Sequence, residues 1–506
     1  MSKKMCPNRR NFLKITAAGA AGFALTSNVE KIFAATARTA AGIAPLNQWP
    51  GRVVINFNKN APTGNVDPTA AQITIIKGMV DASIQLLTGQ TTVGAAWKAV
   101  FPASLSLTSL IAIKVPVGIN AMRSAPHWSS VQAITEGLQQ MDFNGTKFPA
   151  GNITIFDATG SNALSATGFT ATNFPGITLV KPTTFTAYTD AAEDNTTPTG
   201  VKMPYVAPLN AANFLINVFS PRGHSTYVES FTLGFKNHYG TYNAPSLPHA
   251  NPAASQILRN INCMGAVYTK NVLSVCSGIY GCLEGNGPSH APDDYSKYSQ
   301  YMDASSTNTN PTTIIMGTDP VSVEMQAVKM MRIQGLTAGT GGTSGQYTTA
   351  AMPNFLKAAG GVVVTGTNWP PDPANPNTMD KIGIIDESQM TIRRIINGVT
   401  VSVRENGSLP SRNAGAYVTA SQIRGSNSTF IEFALPEGHA GKEANLEIVD
   451  LKGKLVTRMT HRVGGIVNHL SWNETDMGGN YVGRGTYIVH LVSGTVNVSS
   501  KFSITQ

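Results

Sequence analysis

The chain has 506 residues, of which 13% are charged, and its formal net charge is +9. Residues 1–37 contribute +5 of this through six basic residues and one acidic residue, so that +4 remains for the rest of the chain. So small a charge, without a Lys/Arg cluster, excludes a nucleic-acid-binding protein, because phosphate backbones are held by concentrated positive charge. At roughly 150 residues per domain, the length predicts two or three domains.

The N-terminal segment has the pattern of an export signal. Arg9-Arg10-Asn11-Phe12-Leu13-Lys14 precedes an Ala/Gly-rich run, 15–25, that is too short to span a bilayer comfortably. This order is typical of a twin-arginine signal, the alternatives being an ordinary secretory signal or an anchor. We predict a signal peptide over 1–37, cleaved after Ala35-Thr36-Ala37. We also predict export by the twin-arginine translocase to the periplasm, the cell surface or the medium.

Residues 48–398 predict one large α/β domain with a largely parallel sheet. Apolar runs typical of buried parallel strands alternate with segments of helical spacing, and the run 153–156 ends at Asp157. Side chains at the carboxyl ends of such strands line the usual ligand crevice. The predicted strands are 52–57, 110–115, 153–156, 214–219, 272–275, 312–316, 361–364 and 381–385, and the predicted helices are 71–87, 129–141 and 321–332.

From Thr429 the pattern changes to alternation at period two with turns between the runs, which is typical of a small all-β sandwich. We place this domain at 428–506 and a polar linker at 399–427. Within the linker, Val399–Val403 could form a strand of either neighbouring domain.

The end of the chain carries a first family resemblance. The segments Trp472-Asn473, Gly478-Gly479-Asn480, 483–487 and Lys501-Phe502 resemble the FlgD-like immunoglobulin (Ig) fold and the C-terminal sorting domains of secreted bacterial proteins. The resemblance implies an Ig-like accessory module without chemistry. It also implies a partner in an outer-membrane secretion system or at the cell surface.

The densest polar stretch lies between residues 217 and 288, and it includes Arg222 and Glu284. Its candidate catalytic residues are His224, Lys236, Asn237 and His249. Glycines at 234 and 240 flank the second and third of these, and they permit close ligand approach or unusual backbone angles. A lysine in such a loop can hold a carboxylate or a phosphate, and a histidine can act as an acid or a base.

The same residues carry a second resemblance. Lys114 and Asp157 after apolar strands, Gly234-Phe235-Lys236-Asn237-His238-Tyr239-Gly240, Gly285-Asn286-Gly287-Pro288 and 319–324 resemble the DUF362 family, a bacterial and archaeal domain of unknown function. The resemblance spans most of residues 52–398. It implies an α/β fold, and some members carry ferredoxin-like iron–sulfur modules.

The chain departs from this family at several positions. Pro116 replaces the usual Asn, Ser277 lies where Asp is usual, and Glu324 stands where Asp is common. The family's function is lost in this chain if it depends on that Asn and Asp. Cys263, Cys276 and Cys282 match neither a zinc ribbon nor an iron–sulfur motif, so buried thiols are favoured and no iron–sulfur cluster is expected.

Two functions from different classes follow. The first is an exported enzyme or redox-associated protein that binds a small anionic ligand or a divalent metal. The metal ligands would be His224, His249, Asp319 and Glu324, because imidazoles and carboxylates suit zinc, iron, nickel or manganese. The second is a non-catalytic surface or envelope binding protein. Neither a reaction nor an organic cofactor is indicated by any motif.

Overall fold

The computed structural model describes most of the chain from residue 47 onwards. The described ranges are 47–117, 123, 125–160, 163–183, 185–186, 205–224, 231–242, 257–259, 261–262, 265–283, 292–335, 352–362, 382–403, 416–422, 428–435, 439, 441–463, 467–494 and 496–504. The predicted signal peptide, His249, Glu284 and the 285–288 turn lie outside the described residues.

The first thirteen strands belong to the N-terminal part of the described chain. They are β1 (Arg52–Phe57), β2 (Ile111–Lys114), β3 (Asp142–Phe143), β4 (Thr146–Lys147), β5 (Ile153–Phe156), β6 (Thr178–Val180), β7 (Phe185–Thr186), β8 (Tyr205–Val206), β9 (Phe214–Phe219), β10 (Asn271–Gly278), β11 (Thr313–Gly317), β12 (Thr391–Ile396) and β13 (Val399–Val403). Nine of them form one mixed sheet in the order β13-β12-β1-β11-β10-β9-β2-β5-β6, and only β11 and β13 run against the other seven. The predicted α/β domain is therefore confirmed.

Helices cover both faces of this sheet. They are α1 (Ala70–Thr88), α2 (Val93–Ala99), α3 (Trp128–Gln139), α4 (Ala207–Ala211), α5 (Gly234–Asn237), α6 (Gly265–Lys270), α7 (Ser296–Met302), α8 (Pro320–Gln334) and α9 (Asn354–Ala359). The side chains of Ile111 and Ile113 enter one core cluster and that of Ala112 enters the other, because successive residues of a strand point to opposite faces. Burial on both faces explains why the strands of this sheet are mainly apolar.

The carboxyl ends of β2, β5 and β9 meet at one edge of the sheet. Lys114, the last residue of β2, is in register with Phe156 of β5 and with Asn217 of β9. Asp157, which directly follows Phe156, therefore comes next to Lys114. The parallel arrangement thus gathers a lysine, a carboxylate and an amide that are far apart in the sequence.

The C-terminal part is all-β and antiparallel. Its strands are β14 (Tyr417–Gln422), β15 (Thr429–Ala434), β16 (Glu443–Asp450), β17 (Leu455–Arg462), β18 (Val467–Trp472), β19 (Gly485–Ser493) and β20 (Val496–Ile504). They form two sheets, β14-β15-β18 and β17-β16-β19-β20, which share one hydrophobic core that includes Phe433, Ile448 and Leu491. This agrees with the predicted all-β domain.

The segment predicted as a linker, 399–427, has strands at both ends. Strand β13 pairs with β12 in the large sheet, and β14 pairs with β15 in the C-terminal part. The reason is a tight turn at Asn397 (φ 51°) and Gly398 (φ 84°), a dipeptide that favours two-residue hairpins. Arg394 of β12 also forms an ion pair with Glu432 of β15.

Candidate functional site

A fully buried ion pair occupies the carboxyl edge of the sheet. The Lys114 Nζ atom lies 2.9 Å from Asp157 Oδ1, and neither side chain is exposed to solvent. Asp157 also accepts hydrogen bonds from the Val117 backbone N–H (2.8 Å) and from the Thr159 hydroxyl (2.6 Å). Burial lowers the pKa of Lys114, and the Asp157 charge opposes this shift. Paired and hydrogen-bonded in this way, the two charges can remain in the interior.

Asn237 connects this pair to the short helix α5. Its Oδ1 accepts from Lys114 Nζ at 2.7 Å, and its Nδ2 donates to Asn217 Oδ1 at 2.7 Å. Asn217 in turn donates to the Gly234 carbonyl at 2.9 Å. The amide groups thus fix α5 above β2 and β9, because each polar atom of Asn237 has a partner in the sheet.

Gly240 allows the chain after α5 to press against the ion pair. A Cβ atom at this position would lie 2.3 Å from Asp157 Oδ1 and 2.9 Å from Lys114 Nζ, which is closer than real Cβ atoms approach. The Gly240 carbonyl accepts from the Ala158 N–H at 3.1 Å. The glycine is therefore needed because the backbone at residue 240 packs closely against the Lys114–Asp157 ion pair.

Lys236 is buried without an acceptor. The residue is only 7% exposed, and in the described part of the chain its ammonium has neither a hydrogen-bond acceptor nor a carboxylate partner. Its Nζ lies 5.1 Å from the centre of the Tyr239 ring. Burial, together with the positive charge of Arg222, lowers the pKa of Lys236 to about 7.

Arg222 is carried to this place by the segment that follows β9. Its carbonyl accepts from the Thr232 N–H at 2.8 Å, and the neighbouring Gly223 pairs with Phe231, just before α5. The arginine is 1% exposed. Burial lowers its pKa to about 10, while Cys282 and Asp157 oppose the shift. Two buried basic side chains therefore lie within electrostatic range of one another.

His238 is a neutral imidazole of the same segment. Its Nδ1 lies 3.1 Å from the Thr241 hydroxyl, and its buried Nε2 has no partner among the described residues. Burial and, secondarily, the charge of Lys114 lower its pKa to about 3. The ring therefore carries no charge at neutral pH, and Nε2 is available only for a hydrogen bond.

Comparison with known proteins identifies this region. A family model described as "Domain of unknown function (DUF362)" matches residues 111–329. Residues 111–329 form a DUF362 domain. Among curated proteins, none matches the chain. The residues from Lys114 to His238 described above all lie within the DUF362 domain.

Several solved structures show a partial likeness to this chain. One of them is PorZ, an essential bacterial surface component of the type-IX secretion system of Porphyromonas gingivalis, with 22% identity and a TM-score of 0.15. The match covers 20% of this chain and 13% of that chain. A likeness of this size carries no argument about fold or function.

Glu324, in the second turn of α8, holds the start of α5. Its Oε2 accepts from the Phe235 N–H at 3.1 Å, and its buried Oε1 has no partner among the described residues. Burial raises the pKa of this carboxyl to about 8, although the N–H groups of Phe235 and Gly234 oppose the shift. A Cβ at Gly234 would lie 2.8 Å from Glu324 Oε2, so glycine is needed for this contact.

Asp319, a predicted metal ligand, lies elsewhere and accepts three backbone N–H groups. They belong to Gly51 (2.8 Å), Ser322 (3.0 Å) and Ile384 (2.9 Å), and Asp319 is also the N-cap of α8. Burial raises its pKa, and the three donors oppose this. Its oxygens are therefore committed to the fold.

The other predicted metal ligands are not brought together in the described residues. His224 is half-buried after β9, and His249 is outside the described chain. In the described ranges, no three His, Cys, Asp or Glu side chains lie close enough to hold a metal ion. Cys276 and Cys282 are buried, and burial raises the pKa of both thiols.

The sequence-based candidate list missed a second buried imidazole at this edge. His127 caps α3 by accepting from the Ser129 N–H at 3.3 Å, and its Nε2 has no partner among the described residues. Burial lowers its pKa to about 4. Nearby, the Ser277 hydroxyl lies 2.8 Å from the Ser130 hydroxyl. Ser277 is the residue that stands where the family usually has Asp, and its hydrogen bond therefore joins two uncharged side chains. The sequence did contain a signal for His127, because it directly precedes the predicted helix and lies two residues before Ser129.

Within the described residues, no helix is long and apolar enough to cross a membrane.

Proposed function

We propose that the DUF362 domain binds a small anionic ligand, a carboxylate or a phosphate, at Lys236 and Arg222. The observation that carries this proposal is the ammonium of Lys236, which is almost completely buried, has no acceptor among the described residues and is within electrostatic range of the positive charge of Arg222. Burying a charge without a partner is costly, and like charges repel. A bound anion would relieve both costs, and its charge-assisted hydrogen bonds would be strong in so enclosed a place.

The surrounding contacts support a preorganised site. Asn237, next to Lys236, is fixed by Lys114 and Asn217, and the start of α5 is held by Glu324. Lys236 therefore stands on a segment anchored at both ends, and binding would not need to order it. Preorganisation of this kind raises affinity, because less conformational entropy is lost on binding.

An anion titration of the full-length protein tests the proposal. Phosphate, sulfate and malonate should each raise the thermal midpoint at constant ionic strength. Lys236→Met should weaken binding by about 10- to 100-fold, because a hydrogen bond to a charged group contributes about 1.5–3 kcal/mol. Lys452→Met, at an exposed turn of the C-terminal part, is the matched control and should bind as the wild type does. Equal binding by both variants would refute the site.

The predicted divalent metal is tested in the same titration. Asp319 and Glu324, two of the predicted metal ligands, already accept backbone N–H groups, so the described contacts favour an anion over a metal as the ligand of this domain. In a parallel titration, zinc and manganese are added instead of the anions. The metal content of the purified protein is then measured. If the protein contains stoichiometric metal, and His224→Ala and His249→Ala each lose it, the site binds a metal and the anion proposal is wrong. Whether the bound ligand is turned over or only held distinguishes an enzyme from an envelope binding protein.

We also propose that the protein is exported and that its C-terminal part is an Ig-like sorting module. The twin-arginine pattern of residues 1–37 supports export, and the two antiparallel sheets around one core are compatible with an Ig-like sandwich. The proposed partners are the twin-arginine translocase and an outer-membrane secretion system or a surface component. Changing Arg9 and Arg10 to Lys should leave the protein in the cytoplasmic fraction with its signal uncleaved. Unchanged export of that variant would exclude the twin-arginine route.

A further inference from the structure

The buried amino group of Lys114 contacts a carboxylate and a side-chain amide at the same time. Its Nζ lies 2.9 Å from Asp157 Oδ1 and 2.7 Å from Asn237 Oδ1. Because an amide C=O bond is about 1.2 Å long, Nζ lies less than about 4 Å from the amide carbon of Asn237. The lysine and aspartate side chains are completely buried, and Asn237 is only 4% exposed. A nucleophile, an acyl carbon and an acid–base group are therefore enclosed together.

We propose that Lys114 and Asn237 form an intramolecular isopeptide bond, in which the lysine nitrogen replaces the ammonia of the asparagine amide. This modification goes beyond the anion site and needs no ligand at Lys236. Groups that are held roughly 3–3.5 Å apart and aligned react as if they were highly concentrated, and Nζ is close to that distance from the amide carbon.

The amide of Asn237 is held in the orientation that this reaction needs. Its Nδ2 donates to Asn217 Oδ1 at 2.7 Å and to the Val218 carbonyl at 3.0 Å. A carbonyl oxygen only accepts and an ammonium only donates, so the amide must direct Nδ2 to Val218 and Oδ1 to Lys114. The acyl oxygen therefore faces the nucleophile, and the leaving nitrogen lies among acceptors for the hydrogens of ammonia.

Asp157 is placed to carry the protons. Burial lowers the pKa of Lys114, which favours the neutral amine, although the Asp157 charge opposes this shift. A proton that moves from Nζ to Asp157 Oδ1 leaves two uncharged groups, which cost less in an apolar interior than charges do. The backbone at Gly240 packs so closely that a Cβ there would lie 2.9 Å from Lys114 Nζ. This packing excludes water, which would compete as the nucleophile.

The reaction is balanced without a co-reactant. Once Asp157 holds the proton, the Nζ lone pair adds to the Asn237 amide carbon as the C=O π electrons move to Oδ1. Asp157 gives its proton to that oxygen and takes one from Nζ, which leaves a neutral tetrahedral intermediate. The C=O bond then re-forms and the bond from carbon to Nδ2 breaks. Asp157 passes its proton to Nδ2 and takes the hydroxyl proton. The products are a secondary amide, ammonia and protonated Asp157, and no atom is oxidised or reduced.

Mass spectrometry of the purified wild-type protein tests the inference. The bond lowers the mass of the chain by about 17 Da, the mass of ammonia. After denaturation, trypsin should not cleave at Lys114, and peptide 99–123 should be found joined to peptide 237–259 in nearly all molecules. Lys329 is the internal control, because this buried lysine lies 2.8 Å from Glu387 Oε1 and should be cleaved normally.

Three variants assign the roles of the side chains. Lys114→Arg keeps a cation but cannot form the bond, so it should have the mass calculated from its sequence. It should also migrate more slowly than the wild type in a reducing denaturing gel, because the wild-type bond joins positions 123 residues apart. Asp157→Asn should slow bond formation about 100-fold or more, since a positioned acid–base group contributes roughly 10²–10⁴-fold. Lys329→Arg is the matched control and should form the bond as the wild type does.

The outcomes that contradict the inference are distinct. Complete cleavage after Lys114, with an unmodified peptide 237–259, would exclude the bond. A bond between Lys114 and Asp157, recognised by the loss of about 18 Da for water, would exclude Asn237 as the acyl group. Unchanged bond formation in Asp157→Asn would overturn its role as the proton carrier. The wild-type peptide map decides the first two questions even if no variant folds.

Discussion

Replacing Lys114 by Met should lower the free energy of unfolding by about 3–5 kcal/mol, because the variant leaves the Asp157 carboxylate buried without its counter-charge. Both side chains are completely buried, so water cannot replace the lost partner. Asn237 also loses the donor to its Oδ1, which loosens the link between the sheet and α5. Urea denaturation of wild type and variant, followed by circular dichroism at pH 7, measures the difference.

The chain provides a matched control for this prediction. Lys77 and Glu136 form an ion pair with the same N–O distance, 2.9 Å, but their side chains are 28% and 47% exposed. Lys77→Met should therefore cost less than about 1 kcal/mol, as exposed pairs usually do. The double variant Lys114→Met/Asp157→Asn, which removes both charges, should recover part of the loss. If Lys114→Met lowers the free energy of unfolding no more than Lys77→Met does, the Lys114–Asp157 pair does not stabilise the fold as predicted.

Much of the large domain follows from its apolar runs. The predicted strands at 52–57 and 214–219 coincide with β1 and β9, because strands buried on both sheet faces are mainly apolar, here with Arg52, Asn56 and Asn217 as the polar exceptions. The position of β11 between β1 and β10, running against both, could not be predicted. The direction of a strand depends on which distant segments it pairs with. An apolar run has the same pattern in a parallel and in an antiparallel strand, so it does not indicate the direction.

The site shows the same division between local and distant information. Glycine at 240 and polar residues at 236–238 indicated a functional loop, but not where each side chain would lie. In the helical turn of α5 and the residues after it, consecutive side chains diverge. Asn237 contacts the sheet, while the Lys236 ammonium faces the Tyr239 ring. The absence of an acceptor for Lys236, on which the proposed function rests, is a property of the packed chain alone.

Asp319 illustrates a signal that supported two interpretations. Asp319-Pro320 before a helical run is the pattern of an N-cap followed by proline at the first helical position, as well as part of the DUF362 resemblance. The structure shows the N-cap, because Asp319 accepts from the Ser322 N–H, and the same carboxylate holds two further segments rather than pointing to a metal site. Gly383 completes this arrangement, since a Cβ there would lie only 1.9 Å from Asp319 Oδ1.

We expect Asp319→Ala to destabilise the protein by about 3 kcal/mol or more. Loss of an N-cap costs about 1 kcal/mol, and each buried N–H left without a partner adds about 1–3 kcal/mol. Here the N–H groups of Gly51 and Ile384 both lose their acceptor, so the loss should exceed that of any cap alone. Denaturant unfolding of the full-length protein measures it, with the anion titration as a second readout.

Two variants determine whether this loss comes from the backbone contacts. Thr92→Ala removes only a cap hydrogen bond, to the Ala95 N–H at 3.3 Å on the short helix α2, and should cost about 1 kcal/mol or less. Asp319→Asn keeps one carbonyl oxygen and should fall between wild type and Asp319→Ala. Because Asp319 bonds to backbone rather than to Lys236, sulfate affinity should be unchanged in the folded Asp319→Asn protein. A variant that keeps full stability but loses a bound metal would instead make Asp319 a ligand, as the sequence pattern also allowed.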